Sequence, residues 1–221
     1  YEKGIALKEI DPSGAAYCYI NRAEQYKRLR KYDKALADYN SAIALEPENA
    51  RSYNYRAAFY KNYLKDNDLA LLDYTKAIEL DKDNPNMWYN RGVTYFDLYN
   101  NEKALKDFEK ALEIDSTYVD AINYRGLIFK NQGKYDLSIK EYERCIALAE
   151  INPSGAAYCY TNRAAQYKRI REFDKALADY NNAIALEPEN ARRYNYRAAF
   201  YKNYLKDYDL ALLDYTKAIE L

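Results

Sequence analysis

Six arginines recur along the chain, Arg22, Arg56, Arg91, Arg125, Arg163 and Arg197, and six acids recur with them, Asp38, Asp73, Asp107, Glu141, Asp179 and Asp214. Two chemistries fit such a set. A ladder of guanidinium groups can grip an anionic ligand. Alternatively, an arginine with an apolar stem and one matching acid per repeat can form a partly buried ion pair. The six-for-six match favours the pairs.

Bond-making chemistry has little to draw on. The chain has no histidine, which removes the commonest general base and the commonest metal ligand. No glycine-rich phosphate loop and no metal-ligand spacing occurs, so the reading is of a protein that is not an enzyme and needs no cofactor. Cys18 and Cys159 are equivalent copies and Cys145 stands alone; three such distant cysteines suggest neither a disulfide framework nor a zinc site. They read as small buried residues in a reducing compartment, which favours the cytoplasm. Lys plus Arg and Asp plus Glu number 34 each, so overall charge gives no reason to expect a nucleic-acid or membrane partner. No apolar run of membrane-spanning length is present.

The elements that carry these residues are copied. Positions 1–80 and 142–221 are identical at 68 of 80 places, and YNYRAAFYKNYLKD recurs unchanged at 53–66 and 194–207. A shorter period runs inside this one. Ala35, Ala70, Ala104, Ser138, Ala176 and Ala211 are each followed four residues on by an aromatic and three further on by a small residue, as in Ala35, Tyr39, Ala42. Such spacing marks one helical face. A preceding helix carries a large residue, a small one and an aromatic, as in Trp88, Gly92, Tyr95. Asn84 before Pro85, with Ser13, Asn49 and Asn190, supplies helix caps. Twenty-eight tyrosines suit helices that are part core and part groove wall.

Trp88, Gly92, Tyr95, Ala104, Phe108 and Ala111, with Pro47 and Pro188 closing other units, resemble the tetratricopeptide repeat, although arginine stands at the leucine of that pattern. The resemblance covers six units, 16–49, 50–84, 85–118, 119–156, 157–190 and 191–221, with 1–15 as the end of a preceding helix plus a junction. It implies an all-α fold: a right-handed α-solenoid of stacked antiparallel helix pairs, continuous over 1–221, with the first helix of each pair on the concave side. The four extra residues before Ala16 and Ala157 are expected to lengthen a junction. Because Tyr1–Ile10 matches Tyr142–Ile151, the chain is expected to be a piece of a longer array.

That arrangement turns further residues into groove candidates: Asn21 and Lys27; Arg51, Asn54, Tyr55 and Lys61; Tyr89, Asn90, Val93 and Phe96; Asn123, Tyr124 and Lys130; Asn162 and Lys168; Arg192, Asn195, Tyr196 and Lys202. Asparagine can donate to and accept from a peptide backbone whatever its sequence, and tyrosine supplies flat contact area. The lysines suit acidic partners, and Tyr89, Val93 and Phe96 suit an apolar anchor. The asparagines at Asn21, Asn90 and Asn162 match the centre of the carboxylate clamp of tetratricopeptide co-chaperones, but Asn54, Ala58, Asp120 and Tyr124 stand where that clamp needs its other groups, so the full clamp is rejected. Alternation of Asn and Tyr in this column resembles half of an asparagine ladder in the tetratricopeptide arm of a protein glycosyltransferase. The expected function is an interaction scaffold that binds extended, acidic peptide segments of other proteins. The alternatives are the targeting arm of a larger enzyme such as a glycosyltransferase, and a structural element that self-associates end to end.

Overall fold

The computed structural model describes residues 10–221; the helix end expected at the very start of the chain lies outside them. Among the described residues there are twelve helices and no strand: α1 (Pro12–Arg28), α2 (Tyr32–Leu45), α3 (Ala50–Phe59), α4 (Asn67–Leu80), α5 (Pro85–Asp97), α6 (Asn101–Ile114), α7 (Val119–Asn131), α8 (Tyr135–Ile146), α9 (Pro153–Arg169), α10 (Phe173–Leu186), α11 (Ala191–Phe200) and α12 (Tyr208–Glu220). They form two compact units, divided between Asp115 and Ser116. Each unit is an α-solenoid of three stacked antiparallel helix hairpins.

The helix starts follow from the side chains that precede them. Asp11, Asn49, Asn84, Asn152 and Asn190 each accept a backbone N–H from the first turn, which satisfies one of the donors that a helix leaves open. Asp66, Asn100 and Asp207 do the same for α4, α6 and α12. Ser13 is not a cap, contrary to the sequence reading. Asp11 takes that role because the helix begins four residues earlier than the repeat pattern implies, and the Ser13 hydroxyl donates to Glu46 instead. The residues Pro12–Ala15 and Pro153–Ala156 are therefore an extra helical turn on α1 and α9, not a loose junction.

Each hairpin closes on a residue in the left-handed region: Arg30, Lys65, Tyr99, Gly133, Arg171 and Lys206, with φ between 56° and 74°. The turn lets Lys31, Asn100, Lys134 and Glu172 donate their N–H to carbonyls five residues back, ending the first helix of the hairpin. In α3 and α11 the repeated stretch adds something further. Tyr60–Leu64 and Tyr201–Leu205 continue the helix as a wider π-turn. This brings Tyr63 against Phe59 and Tyr204 against Phe200, rings stacked at 5.7 and 5.6 Å.

Within hairpins, the small residues let the helices approach. Ala23, Ala35 and Ala42 are fully buried around Tyr39 and Phe59. Gly92 sits so close to Phe108, and Gly126 to Tyr142, that a Cβ would come within 2.8 and 2.6 Å of the ring. Between hairpins of the first unit the seam is apolar: Ala50, Ala77, Ile78 and Met87, with Tyr53, Leu80 and Trp88 beside them. Ile78 is 5% exposed under this cover, whereas its copy Ile219 on α12 is 86% exposed.

The cysteines correct the sequence reading. Cys145 on α8 and Cys159 on α9, both fully buried, form a disulfide with Cα atoms 6.2 Å apart. Gly155, in the extra turn of α9, lies against this bridge, its carbonyl oxygen 3.6 Å from the Cys145 sulfur. Cys18, the copy of Cys159, is free, and its sequence has Gly4 where the second copy has Cys145. The argument for a reducing compartment rested on unpaired cysteines and so loses its premise.

Candidate functional site

The arginine column is structural. Arg22, Arg56, Arg91, Arg163 and Arg197 each make a two-pronged bond to the acid of the second helix in their own hairpin, at 2.7–2.9 Å. Arg125 reaches Glu141 at 3.0 Å. The five aspartates are 2–4% exposed. The guanidinium groups of Arg22, Arg56, Arg91 and Arg163 also lie between rings three residues before and four after: Arg91 is 5.2 Å from Trp88 and 5.9 Å from Tyr95. The bond to Asp73 holds Arg56 above the ordinary arginine value; burial alone would lower Arg91, but Asp107 outweighs it. These arginines are committed to the hairpins and are not available to grip a ligand.

The asparagine column is partly self-bonded. Asn90 donates to Asn54 at 3.0 Å in the first unit, and Asn162 donates to Asn123 at 2.8 Å in the second. Asn54, Asn90 and Asn162 are half-buried and retain capacity for a peptide, whereas Asn123 is buried. Asn21 is half-buried; Arg51, Tyr55, Arg192, Asn195 and Tyr196 are exposed. Tyr89 packs its ring 6.0 Å from Phe108, so it belongs in part to the α5–α6 core. Val93 and Phe96 are half-buried on the same helix.

The lysine column divides into two kinds. In the first unit Lys27 is bonded to Glu24 and lies 5.2 Å from the Tyr63 ring, and Lys61 pairs with Asp97 at 2.8 Å. These two are neutralised. In the second unit Lys168 is the copy of Lys27 and sits 5.0 Å from the Tyr204 ring, but Ala165 stands where the first copy has Glu24. Neither Lys168 nor Lys130 makes an ion pair among the described residues. Arg169 shares their end of the helices, bonded to the Tyr135 hydroxyl at 3.3 Å. Burial, with Arg169 adding to it, holds both lysines below the ordinary value. Half-buried cations that repel one another and lack a counter-ion attract an anion. Lys202 is exposed on the π-turn after α11.

At the other end of the same helices lies a cleft of about 410 Å³, lined by Asp120, Asn123, Tyr124 and Leu127 of α7, Tyr158 and the extra turn of α9, and Arg193 of α11. Asp120 is exposed at its mouth, and partial burial raises its carboxyl above the ordinary value. Arg193 donates to Glu187 at 2.7 Å and to Thr161 at 3.1 Å.

The groove-facing positions of the sequence include Tyr158 and Arg169 as well as Asn123, Tyr124, Lys130, Asn162 and Lys168, but not Arg193, and Asp120 enters there only as a reason to reject a clamp. The signal for Arg193 was in the twelve positions where the two copies differ. Cys145, Asn152, Thr161, Ala165 and Arg193 replace Gly4, Asp11, Ile20, Glu24 and Ser52. These five changes supply the disulfide, the wall of the cleft and the unpaired lysine.

Models of the tetratricopeptide repeat match residues 16–49, 85–118 and 120–152, and a further model of the repeat matches 63–98. Solved structures agree on the fold. A tetratricopeptide repeat protein from Parabacteroides merdae is 25% identical, with 97% of this chain and 82% of that one covered and a TM-score of 0.69. PilF of Pseudomonas aeruginosa is 18% identical, with 93% and 96% covered and a TM-score of 0.72. YrrB, described as a tetratricopeptide protein with an unusual peptide-binding site, is 23% identical, with 98% and 96% covered and a TM-score of 0.59. No helix among the described residues is long and apolar enough to cross a membrane.

Proposed function

Because the chain belongs to the tetratricopeptide repeat family, whose fold serves generally as a protein–protein interaction scaffold, we propose that it binds acidic, extended peptide segments of other proteins along α7, α9 and α11. The observation that carries this reading is the group Lys130, Lys168 and Arg169. It is a cationic site that makes no ion pair among the described residues, in a protein of zero formal net charge. Half-buried Asn162 lies on α9 with amide capacity to spare for a peptide backbone, held by its bond to the buried Asn123 of α7. YrrB, which has this fold, is described as holding a peptide-binding site, and that supports looking for a peptide rather than a small molecule.

The test is fluorescence anisotropy with capped peptides carrying two or three glutamates. The wild-type chain should bind them, more weakly as salt rises. Lys130→Ala with Lys168→Ala should weaken binding at least tenfold, and Lys27→Ala should change it little, since that lysine already has Glu24. Equal binding of glutamate and lysine peptides, or indifference to the double substitution, would overturn the proposal.

A further inference from the structure

We infer that the cleft at the extra turn of α9 is a second subsite, one that accepts a lysine or arginine side chain, so that the peptide is read by two opposite charges about 15 Å apart. The inference deepens the proposed function and rests on it for the acidic end of the ligand.

Three observations carry it. The first is the charge of the cleft. Asp120 makes no ion pair among the described residues and stands at the mouth beside the tyrosines Tyr124 and Tyr158. The only cation in the lining, Arg193, is 6% exposed and is neutralised by Glu187 at 2.7 Å. A basic side chain entering here meets one uncompensated carboxylate, and its methylene stem meets Leu127 and the tyrosine rings.

The second is the register. Asp120 and Lys130 are ten residues apart on α7, as are Tyr158 and Lys168 on α9. At 1.5 Å per residue each pair spans about 15 Å along its helix. An extended chain covers that distance in about four to five residues at 3.3–3.6 Å each. One peptide lying along α7 and α9 therefore reaches both ends when its basic residue and its acidic residues are four to six positions apart.

The third is the comparison of copies. In the first copy the position of Arg193 is Ser52 and that of Thr161 is Ile20, so the bond by which Thr161 helps to hold Arg193 at the cleft cannot form there. The changes around Arg193 and the change that unpairs Lys168 fall in the same copy.

The experiment uses the full chain and capped peptides, N-acetylated and C-amidated so that no terminal charge contributes. Each holds one lysine and two glutamates on a Gly-Ser frame, with the lysine one, five or nine positions from the nearer glutamate, in both chain directions. The five-position peptide should bind about fivefold tighter than the other two in at least one direction, the upper end of what an exposed ion pair supplies. Asp120→Asn should abolish that advantage, and Asp174→Asn on α10 should preserve it. Replacing the lysine by glutamine should bring the five-position peptide to the level of the others and make Asp120→Asn silent. If affinity ignores the spacing, or if Asp120→Asn weakens lysine-free peptides equally, the second subsite is wrong while the acidic site stands. If no peptide of the series binds, both fall.

Discussion

Lys27 and Lys168 occupy one position in two copies of the same sequence, yet only Lys27 has a carboxylate beside it, because Glu24 is matched by Ala165. Both ammonium groups lean on the same ring of the π-turn, Tyr63 or Tyr204. A single substitution therefore separates a lysine that holds the fold from a lysine open to a partner.

Restoring the acid should close the site. Ala165→Glu should bring Lys168 back toward the ordinary lysine value and weaken glutamate-peptide binding about as much as losing the lysine does. Titration calorimetry on the variant checks this; unchanged affinity would remove Lys168 from the binding surface.

The depressed lysines also set a pH dependence. Lys130 and Lys168 lose their protons at lower pH in the folded chain than in the unfolded one. Between the two values the unfolded chain binds more protons, so the contribution of these groups to stability rises with pH across that alkaline window, which ends near the ordinary lysine value. Peptide binding should do the opposite, weakening as the lysines discharge. Paired measurements of urea midpoint and peptide affinity, from neutral pH upward, should diverge in wild type and lose that divergence in the Lys130→Ala, Lys168→Ala protein.

The buried ion pairs should be costly to break singly. Arg91→Ala leaves Asp107, 4% exposed, without its partner and should cost about 3–5 kcal/mol. Replacing both by leucine should recover most of that loss, since well-packed apolar groups match a buried pair. Chemical denaturation of the single and double variants gives the comparison.

The disulfide should stabilise the second unit. It closes a loop of 14 residues, for which loop-closure entropy suggests about 3 kcal/mol. Reductant should lower the melting temperature of wild type and leave Cys145→Ser unaffected. Thiol titration of the denatured, unreduced protein should count one thiol, Cys18.

The helices were legible in the sequence because small and aromatic residues at spacings of three and four leave one face that can be buried. The arginine pairs were legible too, since a charged residue at a core position needs a partner and the column of acids supplied it. The disulfide was not. Cys145 and Cys159 look unrelated until the residues between them are known to form a turn and the start of a helix, and the local chain Asp-Pro-Ser-Gly or Asn-Pro-Ser-Gly reads as a loop by composition while its cap and proline start a helix. The lysines were legible as a column but not as individuals. Whether each is neutralised depends on one neighbour across or along the helix, Glu24, Asp97 or Ala165, which a periodic reading averages away. The π-turn also escaped, because no spacing rule marks where a helix widens; only its identical outcome in both copies shows that the fourteen residues encode it.

The guanidinium groups have a mechanical consequence. Besides the two bonds to its own acid, Arg56 reaches back to Asn40 at 2.7 Å, Arg91 to Thr75 at 3.1 Å, and Arg197 to Asn181 at 2.6 Å, each on the preceding hairpin. Each arginine is thus a rivet through two plates. Peeling a hairpin open must break two bonds to a buried carboxylate, whereas sliding one hairpin over the next must break one bond to a neutral acceptor and shear an apolar seam. Under load the seams yield first and the hairpins stay whole, so each unit flexes like a leaf spring whose leaves are individually stiff.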